Sequence, residues 1–329
     1  MDKFLSCDWG TSSFRIRLVS IPDLNVLAEK KSGEGIASTF NLWKEKNLID
    51  ENRFDFYLSI LQKGIKNLQQ QLEIPLENIP VIISGMASST IGMLEIPYNP
   101  LPVHADGSDL ITKKFDKTDN FPHDILIISG IRTENDVIRG EETQLAGCSL
   151  MEDGLFIFPG THSKHILVKD GMAVDFKTYM TGELFELLAG KSILASSVDK
   201  ATATDQLLQA FDKGVNNAGL NLLHASFLVR TNQLFDKYSK EKNYYYLSGL
   251  LIGSELKDLK SASHSNIFLV GTEELCFYYE KALQILEPEK TIKTINAEEA
   301  TIKGQYKIFA PHPRSFSRKP GEGGKERPT

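Results

Sequence analysis

A strand, a short polar turn and a second strand follow one another twice in this chain, and this repeat constrains the fold more than any other feature. The first unit spans residues 4–19 with its turn at 10–13, and the second spans 155–168 with its turn at 160–164. Continuous apolar runs and the alternation of apolar and basic residues predict the strands. Each unit is followed by helical segments. The repeat therefore predicts two related α/β domains, at residues 1–145 and 146–309.

Other segments fit the same α/β plan. Apolar side chains recur with a helical period over residues 54–72, and short apolar runs ending at glycine predict buried strands at 80–86 and 125–130. A late strand at 267–272 precedes a helical pattern over 273–286. No P-loop sequence occurs, and the glycine-containing stretch 33–38 lacks the third glycine of a dinucleotide-binding fingerprint, so we interpret it as a loop.

Composition narrows the class of protein. The 329 residues are 41% hydrophobic and 24% charged, which is typical of a globular protein, and no apolar run approaches the roughly 20 residues that span a bilayer. A net charge of -6 favours neither nucleic acid nor an anionic membrane as a partner. Three widely separated cysteines indicate free thiols in a reducing compartment. We expect a cytoplasmic protein with a small-molecule partner. Whether it forms a homodimer stays open, and the proline-rich residues 310–329 predict a disordered tail.

Three loops share the chemistry of phosphate binding. Each follows a strand and offers small residues, hydroxyls and free backbone N–H groups, which together make an anion-binding concavity. Their candidate residues are Asp8, Gly10, Thr11 and Ser12 in the first loop, Gly160, Thr161, His162, Ser163 and Lys164 in the second, and Gly271 and Thr272 in the third. Asp8 ends an apolar strand, where its carboxylate could hold Mg²⁺ beside the phosphates. For any single loop, an ordinary hairpin is the competing interpretation.

The order of the three loops is more specific than any one of them. It resembles the phosphate-1, phosphate-2 and adenosine motifs of the actin/hexokinase/glycerol-kinase superfamily, in which two ribonuclease-H-like domains enclose ATP in the cleft between them. Further strings resemble the 2-dehydro-3-deoxygalactonokinase family and appear in that family's order. They are Ser-Gly-Met-Ala-Ser-Ser at residues 84–89, Arg-Gly-Glu-Glu-Thr-Gln at 139–144, Met-Thr-Gly-Glu-Leu at 180–184 and Leu-Ser-Gly-Leu-Leu-Ile-Gly-Ser-Glu at 247–255.

The resemblance implies transfer of the γ-phosphoryl group of ATP to the 6-hydroxyl of 2-dehydro-3-deoxy-D-galactonate. Similar sugar kinases carry Gly-Asp-Gln before the phosphate-2 hairpin, with the Asp as base. Glu141 takes that place here and Glu142 is the second candidate. The competing interpretation is that the two glutamates only favour a helix N-terminus.

A sugar acid needs a partner for its carboxylate, and arginine can bind one with two parallel hydrogen bonds. Arg139 and Arg15 are the candidates, although Arg15 also fits a solvent-facing strand position. Gly85, Met86, Ser88 and Ser89 follow a predicted parallel strand, where open α/β sheets bind ligands. His162 and His165 would point to opposite faces of a strand and lack a third ligand, which disfavours a structural metal there.

Three hypotheses remain open from the sequence. The first is the kinase, acting on this sugar acid or on another 2-keto-3-deoxy acid. The second is an enzyme of the same fold that handles acyl phosphates or polyphosphate, because fold does not fix function. The third is a sugar- or nucleotide-binding regulator without catalysis.

Overall fold

The computed structural model describes residues 2–46, 53–148, 152–261 and 266–310. Over these residues the strands are β1 (Lys3–Trp9), β2 (Phe14–Ser20), β3 (Val26–Ser32), β4 (Val81–Gly85), β5 (Asn99–Pro100), β6 (Val103–His104), β7 (Thr112–Phe115), β8 (Ile125–Ile128), β9 (Ile131–Arg132), β10 (Val137–Ile138), β11 (Gly154–Phe158), β12 (Ser163–Lys169), β13 (Met172–Tyr179), β14 (Asn266–Gly271) and β15 (Thr291–Asn296). The helices are α1 (Ile36–Glu45), α2 (Arg53–Leu72), α3 (Glu141–Gly147), α4 (Thr181–Lys191), α5 (Asp205–Asn217), α6 (Leu222–Leu234), α7 (Lys240–Leu256), α8 (Glu273–Leu286) and α9 (Ala297–Phe309).

Two six-stranded sheets, whose topology matches over five strands, form the framework. The first has the order β3-β2-β1-β4-β8-β7 and the second, taken from the other end, the order β6-β13-β12-β11-β14-β15. In each sheet an antiparallel meander of three strands is extended by two parallel strands, β4 and β8 or β14 and β15. The repeated hairpin predicted from the sequence is therefore the start of a repeated sheet.

Local sequence explains the central strands. Every residue of β4 is buried, and so is every residue of β8 and β11, as expected for strands covered on both faces. The alternating strand β2 departs from its predicted half-exposed form, because Arg17 is only 1% exposed. Its guanidinium Nε donates to a Glu29 carboxylate oxygen at 2.6 Å, and its Nη2 lies 3.2 Å from Glu298. Burial of this arginine is thus matched by two carboxylates.

Two segments cross between the halves of the chain. β6 pairs with β13 and so adds a strand from the first half to the second sheet. α9, near the C-terminus, packs against α3 and reaches the first sheet. There the buried Gln305 side-chain amide donates to the Cys7 carbonyl and to the Ser84 hydroxyl, both at 2.9 Å. The two sheets are therefore joined by more than the connecting chain.

The outcome of the sequence predictions follows from these bounds. The predicted meander, the buried strands and the helix at 273–286 are all present. The interpretation of residues 33–38 as a loop is wrong in its second half, because α1 begins at Ile36 with Gly35 as its N-cap. The tail predicted at 310–329 lies outside the described residues beyond Ala310.

Within the described ranges, none of the helices is both long enough and apolar enough to cross a membrane. The predicted cytoplasmic location stays a prediction. The three cysteines are free and buried.

Candidate active site

The first polar turn closes at the end of β1. The Gly10 N–H donates to the Ser13 carbonyl at 2.9 Å, which folds residues 10–13 into a tight turn. Gly10 and Thr11 line a cavity of about 430 Å³ together with Asp8. Ser12 is exposed and does not contribute to that wall. Three of the four predicted residues of this loop are thus brought together.

The start of α1 and the glycine before it support this turn. The sequence analysis did not predict that support. The Ile36 and Ala37 N–H groups donate to the Gly10 and Thr11 carbonyls at 2.9 and 3.0 Å. A Cβ added to Gly35 would lie 2.4 Å from the Ser12 carbonyl carbon. Only glycine therefore permits this close approach of two backbones. The glycine at position 35 was visible in the sequence, but its role depends on a contact with the Ser12 backbone that sequence pattern does not predict.

The second polar turn separates two cavities. Gly160, at its start, lines a larger cavity of about 910 Å³, whereas His162 and Lys164 line the smaller one. The turn is braced by the beginning of α4, where the Glu183 N–H donates to the Thr161 carbonyl at 3.0 Å and the Glu183 carboxylate lies 2.5 Å from His162 Nε2. A chain of phosphates running past this turn would reach from one cavity into the other.

The larger cavity is built by the second half of the chain. Aromatic side chains line much of it, including Phe185, Tyr244, Tyr245, Tyr278 and Tyr279. Thr272, predicted for phosphate or nucleotide binding, also lines it and caps α8 by accepting a hydrogen bond from the Leu275 N–H at 3.4 Å. Gly271 ends β14 beside that residue and does not contribute to the wall. Flat aromatic walls next to a phosphate turn suit a nucleobase and its ribose.

Arg139 is held in place on one wall of the smaller cavity. Its Nη1 donates to the Ser88 hydroxyl at 2.5 Å and its Nη2 to the Ile96 carbonyl at 3.0 Å. The guanidinium carbon lies 3.9 Å from the centre of the Tyr98 ring, while the buried Nε has no hydrogen-bond partner. The arginine is therefore pre-oriented, with donor capacity left over. Tyr98 was not predicted as a site residue.

The other residues predicted around β4 divide between the cavity and the protein interior. Gly85 and Met86 line the smaller cavity, and Gly85 has a φ of +89°, a conformation that favours glycine. Ser88 is buried and reaches the site through Arg139. Ser89 turns away and donates to the Met86 carbonyl at 2.7 Å. Gln144 and Thr178 line the cavity and were not predicted.

The two adjacent glutamates at the start of α3 have different surroundings. Glu141 lines the smaller cavity, its Oε1 lies 2.7 Å from Lys164 Nζ, and its buried Oε2 has no hydrogen-bond partner. Glu142 is 3% exposed and turns back to accept from the Gly140 N–H at 2.7 and 2.9 Å and from the Thr143 hydroxyl. Burial, and then the charge of Glu141, raise the pKa of Glu142 to about 8. Of the two, only Glu141 faces the cavity.

Arg15 lies in a cluster of charges and not on the wall of either cavity. Its Nη1 is 3.1 Å from Glu298 and 3.7 Å from the Asp8 carboxylate. Burial raises the pKa of Asp8, and the nearby Arg15 and Arg17 guanidinium groups oppose that rise. The structure thus places the Arg15 guanidinium beside Asp8, and its predicted binding of the substrate carboxylate stays a prediction.

The described residues contain no cluster of three or more His, Cys, Asp or Glu that suits a metal ion. His162 and His165 have separate partners, Glu183 and Glu255. A single carboxylate such as Asp8 is still compatible with Mg²⁺, which commonly takes one or two carboxylates and completes its shell with water and phosphate.

Known proteins resemble this chain in sequence and in fold. The family model for 2-keto-3-deoxy-galactonokinase matches residues 8–308. The chain belongs to this family. A Rhizobium meliloti relative named as the 2-dehydro-3-deoxygalactonokinase DgoK1 is 31% identical over 313 residues, covering 92% of this chain and 94% of the relative. The Escherichia coli 2-dehydro-3-deoxygalactonokinase is 33% identical over 218 residues, which are 64% of this chain and 72% of that protein.

Solved structures confirm the fold. The crystal structure of a Sinorhizobium meliloti protein assigned as a 2-dehydro-3-deoxygalactonokinase superposes with a TM-score of 0.74 at 30% identity, covering 93% of this chain and 97% of that one. An activator of 2-hydroxyisocaproyl-CoA dehydratase from Clostridium difficile gives a TM-score of 0.52 at 11% identity and shares the fold alone. The predicted class, two sheet-containing α/β domains of the actin-like ATPase fold, is confirmed, and this family of enzymes consists of phosphotransferases.

Proposed function

We propose that this protein is an ATP-dependent kinase that phosphorylates the 6-hydroxyl of 2-dehydro-3-deoxy-D-galactonate. One observation carries the proposal: the smaller cavity combines Arg139 with spare donors, Glu141 with an unpartnered oxygen, and residues of both phosphate turns. Those are the groups that a transfer of phosphate to a sugar acid requires: an anchor for the carboxylate, a proton acceptor and a phosphate clamp. The family and its named relatives support the same assignment.

ATP is proposed to occupy the larger cavity and the space between the turns. The nucleoside would lie among the aromatic side chains beside Thr272, and the phosphates would pass Gly160 and Thr161 toward Gly10 and Thr11. Lys164, on the wall of the smaller cavity, would then meet the γ-phosphate. A cationic side chain there stabilises the negative charge that spreads over the transferred phosphoryl group.

The sugar acid is proposed to fill the smaller cavity with its carboxylate at Arg139. The bonds from Arg139 to Ser88 and Ile96, with the Tyr98 ring beneath, fix the plane of the guanidinium before the substrate arrives. A pre-oriented arginine loses little conformational entropy when it binds a carboxylate with two parallel hydrogen bonds. The opposite end of the acid, with its 6-hydroxyl, is then directed toward Glu141.

Glu141 is proposed as the general base. The 6-hydroxyl oxygen forms a bond to the γ-phosphorus, the bond from that phosphorus to the β–γ bridging oxygen breaks, and ADP leaves. The hydroxyl proton passes to the carboxylate of Glu141, which lines the smaller cavity. Lys164 Nζ lies 2.7 Å from the Glu141 carboxylate, and we expect the γ-phosphate to compete with Glu141 for this lysine.

A Mg²⁺ ion fits beside this arrangement. Asp8 is the residue proposed to hold it, directly or through water, since its carboxylate lines the cavity at the end of β1 next to the first phosphate turn. Magnesium would supply charge neutralisation on the phosphate oxygens.

The test is an ADP-release assay coupled to NADH oxidation with several 2-keto-3-deoxy sugar acids as acceptors. We expect turnover with 2-dehydro-3-deoxy-D-galactonate. Comparison of the turnover with each sugar acid shows whether the enzyme prefers this acceptor to its stereoisomers. Glu141→Gln should lower kcat by about 10²- to 10⁴-fold while both substrates still bind, because the proton acceptor is removed and the shape of the side chain is kept. Wild-type protein that binds sugar acids but turns over none would reject the kinase in favour of a binding protein.

A further inference from the structure

A buried carboxylate outside both cavities collects hydrogen bonds from the elements that surround the nucleotide site. Glu255 lies near the end of α7 and its side chain is 1% exposed. Its Oε1 accepts from the Ser163 hydroxyl at 2.7 Å and from His165 Nε2 at 2.8 Å. Its Oε2 accepts from the Thr181 hydroxyl and from the Tyr279 hydroxyl, the latter at 2.7 Å. The carboxylate therefore links β12, α4 and α8 to α7.

The buried carboxylate of Glu255 is stabilised by its four hydrogen-bond donors together. A buried carboxylate costs several kcal/mol unless hydrogen-bond donors replace its hydration. Burial, followed by the charge of Glu255, raises the pKa of Tyr279 well above its usual value, so the phenol keeps its proton and donates. Each donor is thus held in one orientation by the carboxylate, and the carboxylate is held by all of them.

The positions of the donors connect this cluster to the proposed ATP site. Thr181 and Tyr279 line the larger cavity, whereas Ser163 belongs to the second phosphate turn. The residues that follow Thr181 press directly on that turn, since a Cβ on Gly182 would lie 2.6 Å from the Gly160 carbonyl oxygen. A shift of Thr181 would therefore move both the cavity wall and the turn.

We propose that Glu255 is a positioning residue for ATP: it fixes the second phosphate turn and the start of α4 against the nucleotide cavity without touching the nucleotide. The inference rests on the proposed kinase function only in naming ATP as the ligand. It assigns a role to the end of the family-typical stretch at residues 247–255, to which no role was given from the sequence.

The experiment compares Glu255→Gln with the wild type by calorimetric binding of a non-hydrolysable ATP analogue and by steady-state kinetics. An amide of the same size can no longer accept from all four donors. We expect the Kd for the analogue and the KM for ATP to rise about tenfold or more, as loss of charge-assisted bonds implies. The KM for the sugar acid should stay within twofold, because Arg139 and the smaller cavity are not part of the cluster.

Two further variants separate positioning from general stability. Asn243→Ala, on the same helix, removes a buried amide that donates to the Ser197 and Val229 carbonyls, and neither partner lines the larger or the smaller cavity. It should lower the Tm and leave the analogue Kd unchanged. Ser163→Ala removes one donor to Glu255 and lies outside both cavity walls. It should weaken analogue binding several-fold, and it provides the test if Glu255→Gln does not fold.

The outcomes distinguish this inference from the proposed function. Unchanged analogue affinity in folded Glu255→Gln, unchanged affinity in Ser163→Ala, or equal weakening in Asn243→Ala would each overturn the positioning role. Wild-type protein that binds the analogue but phosphorylates no sugar acid would overturn the kinase, while the binding comparison would still decide the role of Glu255.

Discussion

Replacing Arg139 should weaken binding of the sugar acid selectively. Its guanidinium is fixed by Ser88, by the Ile96 carbonyl and by the Tyr98 ring, so in Arg139→Met the substrate carboxylate enters the smaller cavity without its guanidinium partner. Leaving such a charge unpaired costs about 2–5 kcal/mol, which corresponds to a rise in the KM for the sugar acid of roughly 30- to 5,000-fold. The KM for ATP should stay within twofold, since Arg139 lines only the smaller cavity.

Two more substitutions should raise the KM for the sugar acid by smaller amounts. Arg139→Lys keeps the charge but loses the forked geometry and much of the stacking on Tyr98, so its KM for the acid should lie between those of the wild type and Arg139→Met. Ser88→Ala removes the 2.5 Å bond that orients Nη1 and should raise the KM for the acid about tenfold, equivalent to ~1.4 kcal/mol.

The assay varies the sugar acid at saturating ATP in the coupled system. Arg132→Met is the matched control, because Arg132 is exposed on β9 and does not line the cavity. An unchanged KM for the acid in Arg139→Met, or an equal rise in Arg132→Met, would refute the assignment of the carboxylate site.

Two remaining predictions concern stability and the first phosphate turn. The pKa of Glu142 is raised to about 8 in the folded chain, against about 4.5 when unfolded, so the folded state binds the extra proton and stability should fall as pH rises from about 5 to 8. Glu142→Gln should flatten that decline, measured as Tm against pH, and a slope as steep as in the wild type would contradict it. Gly35→Ala should raise the KM for ATP several-fold, because its Cβ would meet Ser12 backbone at 2.4 Å, whereas at Gly33 nothing lies within 4 Å. Equal KM values for ATP in Gly35→Ala and Gly33→Ala would argue against that contact.

The sequence predicted those parts of the fold that depend on local pattern. Strands such as β4 and β8 are predicted by their apolar runs, and the hairpins at Gly10 and Gly160 combine such runs with turn residues. The pairing of β6 with β13 involves two residues in each strand and has no periodicity to detect. The division into two domains near residue 145 stays a prediction. β6 precedes that residue but pairs within the second sheet, and α9 follows it but contacts the first sheet.

The site was predictable to the extent that side chains follow from their place on a strand or turn. Asp8, Lys164, Arg139 and Glu141 all line one cavity, as the family pattern implied. The resemblance ranked Glu141 above Glu142 as the base, but sequence pattern gave no physical reason for that order, because adjacent residues at a helix start differ only in which way each side chain turns. Nor could it place Arg15 among the carboxylates of Asp8, Glu29 and Glu298, the last of which lies far along the chain.

The crossing of α9 explains how residues from distant parts of the chain are kept in one geometry. Gln305 of α9 is hydrogen-bonded to Cys7 beside Asp8, and α9 packs against α3, which begins at Glu141. The proposed base and the proposed magnesium ligand are therefore attached to the same packed unit. Lys164 belongs to the second sheet, so its 2.7 Å ion pair with Glu141 is a direct contact between that unit and the second phosphate turn. Any relative movement of the two sheets on ATP binding must change this contact, and with it the charge felt by the base.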